Sequence, residues 1–461
     1  MNGRIERSAP ALQPGSLKAW PYARSLVVGM GKTGLSMVRF LSAMGVECAV
    51  TDSRAQPPGL QVLADEFPNV ATFIGGFDER VFESADVILL SPGVPANEPL
   101  VMAAARRGVP VFGDIEIFAH FVDAPIVGIT GSNGKSTVTT LVGEMARASE
   151  LDVRVGGNLG TPALDLLAGG RPDLYVLELS SFQLECTHTL GVAAAVVLNI
   201  SADHMDRHGT LAEYAAIKAS IYRGDGVMVI NRDDPWCAAM QEKGRATITY
   251  GMGRPQSGQY GLMTIDGEEW LTRGSKGLMR TTEIRIPGRH NVANALAALA
   301  LGEVVELDMG AMLDTLRAFQ GLPHRTQWVA EINGSTWYND SKGTNVGATV
   351  AALQGLRGRS VLIAGGEGKG ADFSPLADAL AARGRGLVVF GRDAELIAAA
   401  VGDVVPVVRA AGLDAAIDAA MALAQAGDSV LFSPACASFD MFRNYEDRGQ
   451  QFMKLVRERA T

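Results

Sequence analysis

Cysteine is scarce and scattered: Cys48, Cys186, Cys237 and Cys436 are the only four in 461 residues, and no two form a Cys-x-x-Cys pair. That spacing argues against a disulfide framework or a structural zinc site and leaves reduced thiols in a cytoplasmic protein as the expectation. No uninterrupted apolar run is long enough to span a bilayer, so no membrane insertion is expected. Basic residues do not cluster, and the formal net charge is −9. A polyanion such as nucleic acid is therefore not expected as the main partner, although a local pocket can still be basic. Short-period repeats and low-complexity tracts are also missing. The stretch Met1 to Tyr22 mixes Arg, Glu, Ser and Pro without the apolar core of a signal peptide, and it reads as a loosely ordered extension.

What is present is apolar material in short units. Hydrophobic residues make up 47% and charged residues 20% of the chain, enough for several cores, and the length suits about three domains at roughly 150 residues each. The recurring unit is a short apolar strand, a glycine-rich turn and an amphipathic helix. Ser25–Val28, Val46–Thr51, Asp86–Leu90 and Val109–Phe112 are predicted strands, with Leu100–Arg107 as an intervening helix. A break at Asp123-Ala124-Pro125 precedes a new strand at Ile126. A β-rich excursion is predicted over Ala246–Ile286, and a second break falls at Gly321-Leu322-Pro323. Beyond it Ser360–Ala364, Leu387–Phe390 and Ser429–Phe432 again read as βαβ. Strands alternating with helices imply parallel sheets covered on both faces. The predicted class is α/β with three domains in series after the 1–22 extension: a Rossmann-like domain (23–124), a P-loop ATPase-like central domain (125–322) and a Rossmann-like C-terminal domain (323–461).

Two glycine-rich turns carry chemistry. Gly29-Met30-Gly31-Lys32-Thr33-Gly34 follows a strand and opens a helix, with Asp52 ending the next strand. Glycines permit the tight turn, and the helix N-terminus offers N–H groups to phosphate. The pattern fits a dinucleotide cofactor, a UDP diphosphate or a turn with no ligand. The second turn, Gly131-Ser132-Asn133-Gly134-Lys135-Ser136-Thr137, follows the strand Ile126–Thr130. Its backbone N–H groups and Lys135 suit nucleotide phosphates, and the Ser136 hydroxyl suits Mg²⁺. Ile129 stands where the usual phosphate-loop pattern has its first glycine. A dehydrogenase has no need of this loop.

The segment Gly128–Thr137 is similar to the ATP loop of the Mur ligases and their folylpolyglutamate synthetase relatives. Further segments follow in that family's order: Gly156–Gly160, Glu178–Glu185, Asp203–Arg207, His290–Ala295, Gly321–Arg325, Asn339–Asn345 and Ser433–Ser438. The likeness covers all but the N-terminal extension. Ser180-Ser181-Phe182-Gln183 and Ser433-Pro434-Ala435-Cys436-Ala437-Ser438 look most like the D-glutamate-adding member, and the Asp-Asn-Pro-Arg motif of the diaminopimelate- or lysine-adding relative is absent.

The resemblance implies an ATP-dependent carboxylate–amine ligase that proceeds through an acyl phosphate, takes UDP-N-acetylmuramoyl-L-alanine and D-glutamate as substrates, and acts as a monomer. Sister activities remain open, with another amino acid (L-glutamate included) or a folate-type substrate. The cofactors implied are ATP, two Mg²⁺ ions and a CO₂-derived carbamate on Lys218. Catalytic roles fall to Lys135, Glu178, His204 and Lys218, with Ser136, Glu178, His204 and carbamylated Lys218 as metal ligands. ATP would meet Gly131, Ser132, Asn133, Gly134, Lys135, Ser136, Thr137, Asn294, Arg325, Asp340 and Lys342. The UDP-linked substrate would meet Gly31, Lys32, Thr33, Asp52, Ser53, Arg54, Gly93 and Asn158, and D-glutamate would meet Thr344, Lys369, Ser438 and Tyr445. On spacing alone, His204 and His208 form an i, i+4 pair of the kind zinc uses; the resemblance leaves His208 incidental. A site shared by the second and third domains also implies closure around the substrates.

Overall fold

A computed structural model describes residues 19–356 and 358–460. The expected extension lies mostly outside them, and its described end departs from expectation. Trp20 is only 9% exposed, its indole N–H donates to Ser25 Oγ at 2.9 Å, and its ring stacks on Phe121. A large apolar ring next to an open sheet face is better buried than solvated, so the first domain begins before residue 23 in packing terms.

Three sheets follow one another along the chain. The first has five parallel strands, ordered in space Ala71–Ile74, Cys48–Asp52, Ser25–Val28, Val87–Leu90 and Val111–Phe112. The order reverses beside Ser25–Val28, and the crevice at its carboxyl end is where such sheets bind ligands. The central sheet has nine strands. Its parallel part runs Val153–Gly157, Leu174–Glu178, Ile126–Thr130, Ala194–Val197, Val227–Asn231 and Thr247–Tyr250. The β-rich excursion adds Tyr260–Ile265, Glu268–Arg273 and Lys276–Arg280, with antiparallel pairing among the three.

The third sheet has six strands: Gln327–Ile332, Ser335–Asn339, Ser429–Phe432, Ser360–Gly365, Gly384–Phe390 and Val407–Arg409. Its first two strands form an antiparallel hairpin, in a stretch for which no strand was expected from the sequence. The reason is local. Asn333 and Gly334 both take positive φ, 51° and 76°, the conformation that a two-residue hairpin turn requires and that Asn-Gly favours.

The strands read as near-continuous apolar runs because both faces are covered. The helix Lys135–Ala148 packs against the long helix Arg289–Val304 over one face of the central sheet, with Val138, Leu141, Val142, Leu296 and Leu299 fully buried between them. That face positions the phosphate loop. No helix among the described residues is long and apolar enough to cross a membrane.

Candidate active site

The phosphate loop is built by backbone strain that only glycine tolerates. Gly131 has φ 143° and Gly134 has φ 86°, and a Cβ on Gly134 would lie 2.6 Å from Asn294 Oδ1. The loop is tied down by its neighbours. Ser132 Oγ donates to Ser201 O and accepts from Ser201 N, both at 2.9 Å, while Asn133 N donates to Asn199 Oδ1 at 2.8 Å. Lys135 Nζ folds back to donate to Gly131 O (2.9 Å) and Ser132 O (3.0 Å). Burial lowers its pKa, opposed by the carboxylates of Glu178 and Asp203. Lys135 thus stands between these acids and the loop that would hold phosphates.

Glu178 ends the strand next to the loop and is 2% exposed. Asn158 Nδ2 donates to its Oε1 at 2.6 Å, but its Oε2 is buried with no hydrogen-bond partner. An orphaned buried carboxylate oxygen beside a phosphate loop suits a hard divalent cation. Among the described residues no three His, Cys, Asp or Glu side chains form a metal cluster, so an ion here would take most of its ligands from phosphates, hydroxyls and water, as Mg²⁺ does. Ser136 Oγ, the expected hydroxyl ligand, accepts from Arg325 Nη2 at 2.7 Å. His204 caps a short helix in the left-handed region, with φ 57° and ψ 36°. Its Nε2 lies 3.6 Å from Asp203 Oδ1 and its ring meets Phe182 edge-on at 4.8 Å.

Lys218 is 1% exposed. Its Nζ donates to Thr130 Oγ1 at 3.2 Å and sits over the Tyr214 ring at 4.7 Å. Burial, reinforced by the charge of Lys135, holds its pKa well below that of a free lysine. Burial therefore favours the uncharged amine, the nucleophilic form of a lysine side chain.

The chain after Pro323 completes the cleft. Asp340 Oδ1 accepts from Thr326 N (2.9 Å) and its Oδ2 from Ser433 Oγ (2.6 Å). Burial raises its pKa to about 6. Lys342 Nζ stacks 3.7 Å over the Tyr445 ring, and burial lowers its pKa to about 8. Asn294, Arg325, Asp340 and Lys342 line one cavity with Asn133, Gly134 and Thr137, about 330 Å³ in volume. These expected ATP contacts are therefore brought together. Thr344 follows Lys342 and its N–H donates to Lys342 O. Ser438 is buried, whereas Lys369 is exposed in a left-handed turn (φ 51°). Lys369 is close enough for its charge to act on His204.

In the first domain, Asp52 binds the turn rather than standing free. It accepts from Met30 N (2.7 Å) and Arg54 N (2.9 Å) and takes a two-pronged contact from the Arg54 guanidinium. Lys32, Ser53, Arg54 and Gly93 are exposed, and Gly31 and Thr33 half-buried, around this crevice. Gly29 is required here: its φ is 98°, and a Cβ would lie 2.8 Å from Ser91 Cβ.

Five further residues had no role expected from the sequence. Tyr214 places its hydroxyl 3.3 Å from Ser132 Oγ and its ring beneath Lys218; its position one helical turn before Lys218 was the available signal. Thr130 bridges Lys218 and Leu179 O. Asp203 accepts from Asn345 Nδ2 at 3.1 Å, and Asn345 also pairs with Asn133. His208, taken as incidental to the chemistry, is held firmly in the structure. It is buried, with Nε2 2.9 Å from Ser181 Oγ and Nδ1 3.2 Å from Glu185 Oε1.

Fold and site together define a three-domain α/β protein with a nucleotide cleft between its second and third sheets. Comparison narrows the class. The Mur ligase MurD-like N-terminal domain matches residues 23–113, the Mur ligase middle domain residues 129–302, and the Mur ligase glutamate ligase domain residues 324–436. The chain belongs to the Mur ligase family. It is 54% identical over 438 residues to UDP-N-acetylmuramoylalanine–D-glutamate ligase of Nitrosococcus oceani, covering 95% of this chain and 97% of that one. The ligase of the same name from Marinobacter nauticus is 52% identical over 94% and 98%. Among solved structures, UDP-N-acetylmuramate-alanine ligase from Thermotoga maritima superposes with a TM-score of 0.60 at 17% identity, covering 95% of this chain and 99% of that one. A pseudomurein peptide ligase type C from Methanothermus fervidus gives 0.61 at 19%, covering 95% and 99%. At such identities these two speak for the fold.

Proposed function

We propose that this chain joins D-glutamate to UDP-N-acetylmuramoyl-L-alanine, converting ATP to ADP and phosphate, as a cytoplasmic monomer in peptidoglycan precursor synthesis. The observation that carries this reading is the 54% identity, over 95% of this chain, with a ligase of that name. The proximity of Lys135 to Glu178, Lys218 and Arg325, close enough for their charges to act on one another, supports it.

In this reading the UDP moiety lies in the first-domain crevice around Gly31, Lys32, Thr33, Asp52, Ser53, Arg54 and Gly93, with Asn158 further along. The substrate carboxylate attacks the γ-phosphate of ATP, ADP leaves, and an acyl phosphate forms. The amine of D-glutamate then attacks the acyl carbon, and phosphate departs from the tetrahedral intermediate. Lys135 and the loop N–H groups hold the phosphates and offset the charge that two anions bring together. Glu178, Ser136, His204 and a carbamate on Lys218 would hold Mg²⁺, which when bound would supply electrostatic stabilisation of the transferring phosphoryl group. Asn294 faces adenine, Arg325, Asp340 and Lys342 the ribose and phosphates, and Thr344, Lys369, Ser438 and Tyr445 the incoming glutamate. Segments from beyond Pro323 exclude water from the acyl phosphate.

The test is phosphate release from ATP with UDP-N-acetylmuramoyl-L-alanine and, in parallel, D-glutamate, L-glutamate, lysine, diaminopimelate or L-alanine. Release with D-glutamate alone is expected. Release with another amino acid instead would move the chain to a sister activity, and none with any would remove the UDP-linked substrate. For the carbamate, Lys218→Ala is expected to lose activity by ~10³-fold or more, with no recovery in bicarbonate. Full activity in that variant would remove the carbamate from the mechanism.

A further inference from the structure

Arg207 lies in the motif that carries His204 but has no place in the chemistry above. Its guanidinium is largely buried, with its side chain 14% exposed, and it spans two domains. Towards the first domain, Nη1 donates to Pro92 O at 2.9 Å and Nη2 to Val94 O at 3.3 Å. Within the central domain, Nη2 donates to Glu185 Oε2 at 2.6 Å and Nε to Glu185 Oε1 at 3.3 Å. The guanidinium plane also covers the Phe182 ring at 4.4 Å.

The residues it holds are not arbitrary. Pro92 to Val94 form the loop packed against the Gly29 turn, where a Cβ on Gly29 would meet Ser91 at 2.8 Å and Val94 at 3.0 Å. Phe182 meets His204 edge-on. Glu185 is in turn fixed by His208. A carboxylate can only accept, so His208 Nδ1–H donates to Glu185 and Nε2 accepts from the Ser181 hydroxyl. This arrangement needs a neutral imidazole, and burial keeps His208 in that form, its pKa lowered to about 4.

We propose that Arg207 is a positioning residue: with Glu185 and His208 behind it, it braces the Ser91–Val94 loop from the central domain so that the first-domain crevice is formed to receive the nucleotide end of the UDP-linked substrate. The proposal rests on the reading of that crevice as the UDP site. Physically, two backbone carbonyls turned towards one guanidinium would repel each other once the cation is removed. The loop would then relax away from the Gly29 turn. Only a planar fork can reach both carbonyls and the carboxylate together, which an ammonium cannot do.

The experiment measures the Kd of UDP-N-acetylmuramoyl-L-alanine and, separately, of ATP by calorimetry on wild type, Arg207→Gln, Arg207→Lys and Glu185→Gln. Arg207→Gln is expected to weaken the UDP-linked ligand ~10-fold or more while ATP affinity stays within ~2-fold. Arg207→Lys should restore only part of the loss, and Glu185→Gln should give a smaller loss of the same selectivity. Glu185→Gln alone carries the test should the Arg207 variants not fold. Equal weakening of both ligands, or no weakening of either, would overturn the proposal. A wild-type protein that does not bind the UDP-linked ligand would instead overturn the reading of the crevice.

Discussion

The two domain junctions of this chain are built in opposite ways. Between the first and second domains the apolar core runs through without a break: Ile115, Phe118 and Val122 pack in one cluster with Leu164, Tyr175 and Leu177. Cys186 enters the other face of the first domain beside Leu26 and Ile88. Buried polar groups cross as well, with Glu116 accepting from the N–H of His188 and Thr189, and Gln183 donating to Asp114 at 2.8 Å. Between the second and third domains, no apolar cluster of the described residues crosses Pro323. The side-chain hydrogen bonds across it run from Arg325 to Ser136 and between Asn345 and both Asn133 and Asp203. A Cβ on Gly347 would lie 2.8 Å from Ser201 Oγ, so the helix Val346–Gly355 approaches by lacking a side chain. Opening the first junction exposes apolar surface to water. Opening the second exchanges protein hydrogen bonds for water hydrogen bonds at little cost. A site that must admit substrates and then exclude water is expected to hinge at the second.

The largest effect is expected from Phe118→Ala. Phe118 is fully buried and meets the Tyr175 ring edge-on at 5.1 Å across the first junction. The truncation is expected to cost about 3–5 kcal/mol, read as a large fall in the thermal midpoint; a midpoint near wild type would mean the core is not continuous there.

Asp114 lies at the same junction, accepting from Gln183. The residue is 1% exposed, its Oδ1 lacks a partner, and burial raises its pKa to about 6. Its folded pKa exceeds the unfolded value near 3.9, so stability falls as pH rises from about 4 to about 6, by up to about 3 kcal/mol, and is level above that. Asp114→Asn keeps an acceptor for Gln183 and should be more stable than wild type at pH 7.5 but not at pH 4. Equal midpoints at pH 7.5 would show that the buried carboxyl carries no such penalty.

At the second junction, Asn345→Ser keeps the helix N-cap, in which Asn345 Oδ1 accepts from Ala348 N, but is too short for Asn133 and Asp203. Activity is expected to fall ~10-fold with the thermal midpoint within about 2 °C, because serine and asparagine cap comparably. A lowered midpoint with unchanged activity would make the contact structural instead. The smallest effect is in shape: small-angle scattering should show the radius of gyration decrease when ATP analogue and UDP-linked substrate are both added, and an unchanged radius would count against a hinge.

Much of this was legible in the residues. The strands Ser25–Val28, Ile126–Thr130 and Ser429–Phe432 coincide with their predicted ranges, because strands buried on both faces are uninterrupted apolar runs. Ala71–Ile74 gave no such signal, since it is an exposed edge strand. The hairpin at Asn333-Gly334 did carry a signal in its turn chemistry, which the βαβ pattern of the remaining third region obscured. Glu178 was singled out by its place after the phosphate loop and by the family resemblance, and Lys218 by the resemblance alone. The roles of Arg207 and Asn345 were not legible, because their partners in other domains lie 113 and 212 residues away along the chain.

By itself the sequence determined what depends on neighbours along the chain: the α/β class, the two glycine turns whose left-handed residues need glycine, and the order of motifs that marks the family. Only the tertiary structure decided what depends on distance through space. It orphaned one oxygen of Glu178 and drove the amine of Lys218 towards neutrality. It also fused one junction through a shared core and bridged the other with side-chain hydrogen bonds. Burial and desolvation arise where remote segments meet, and no local pattern of residues encodes them.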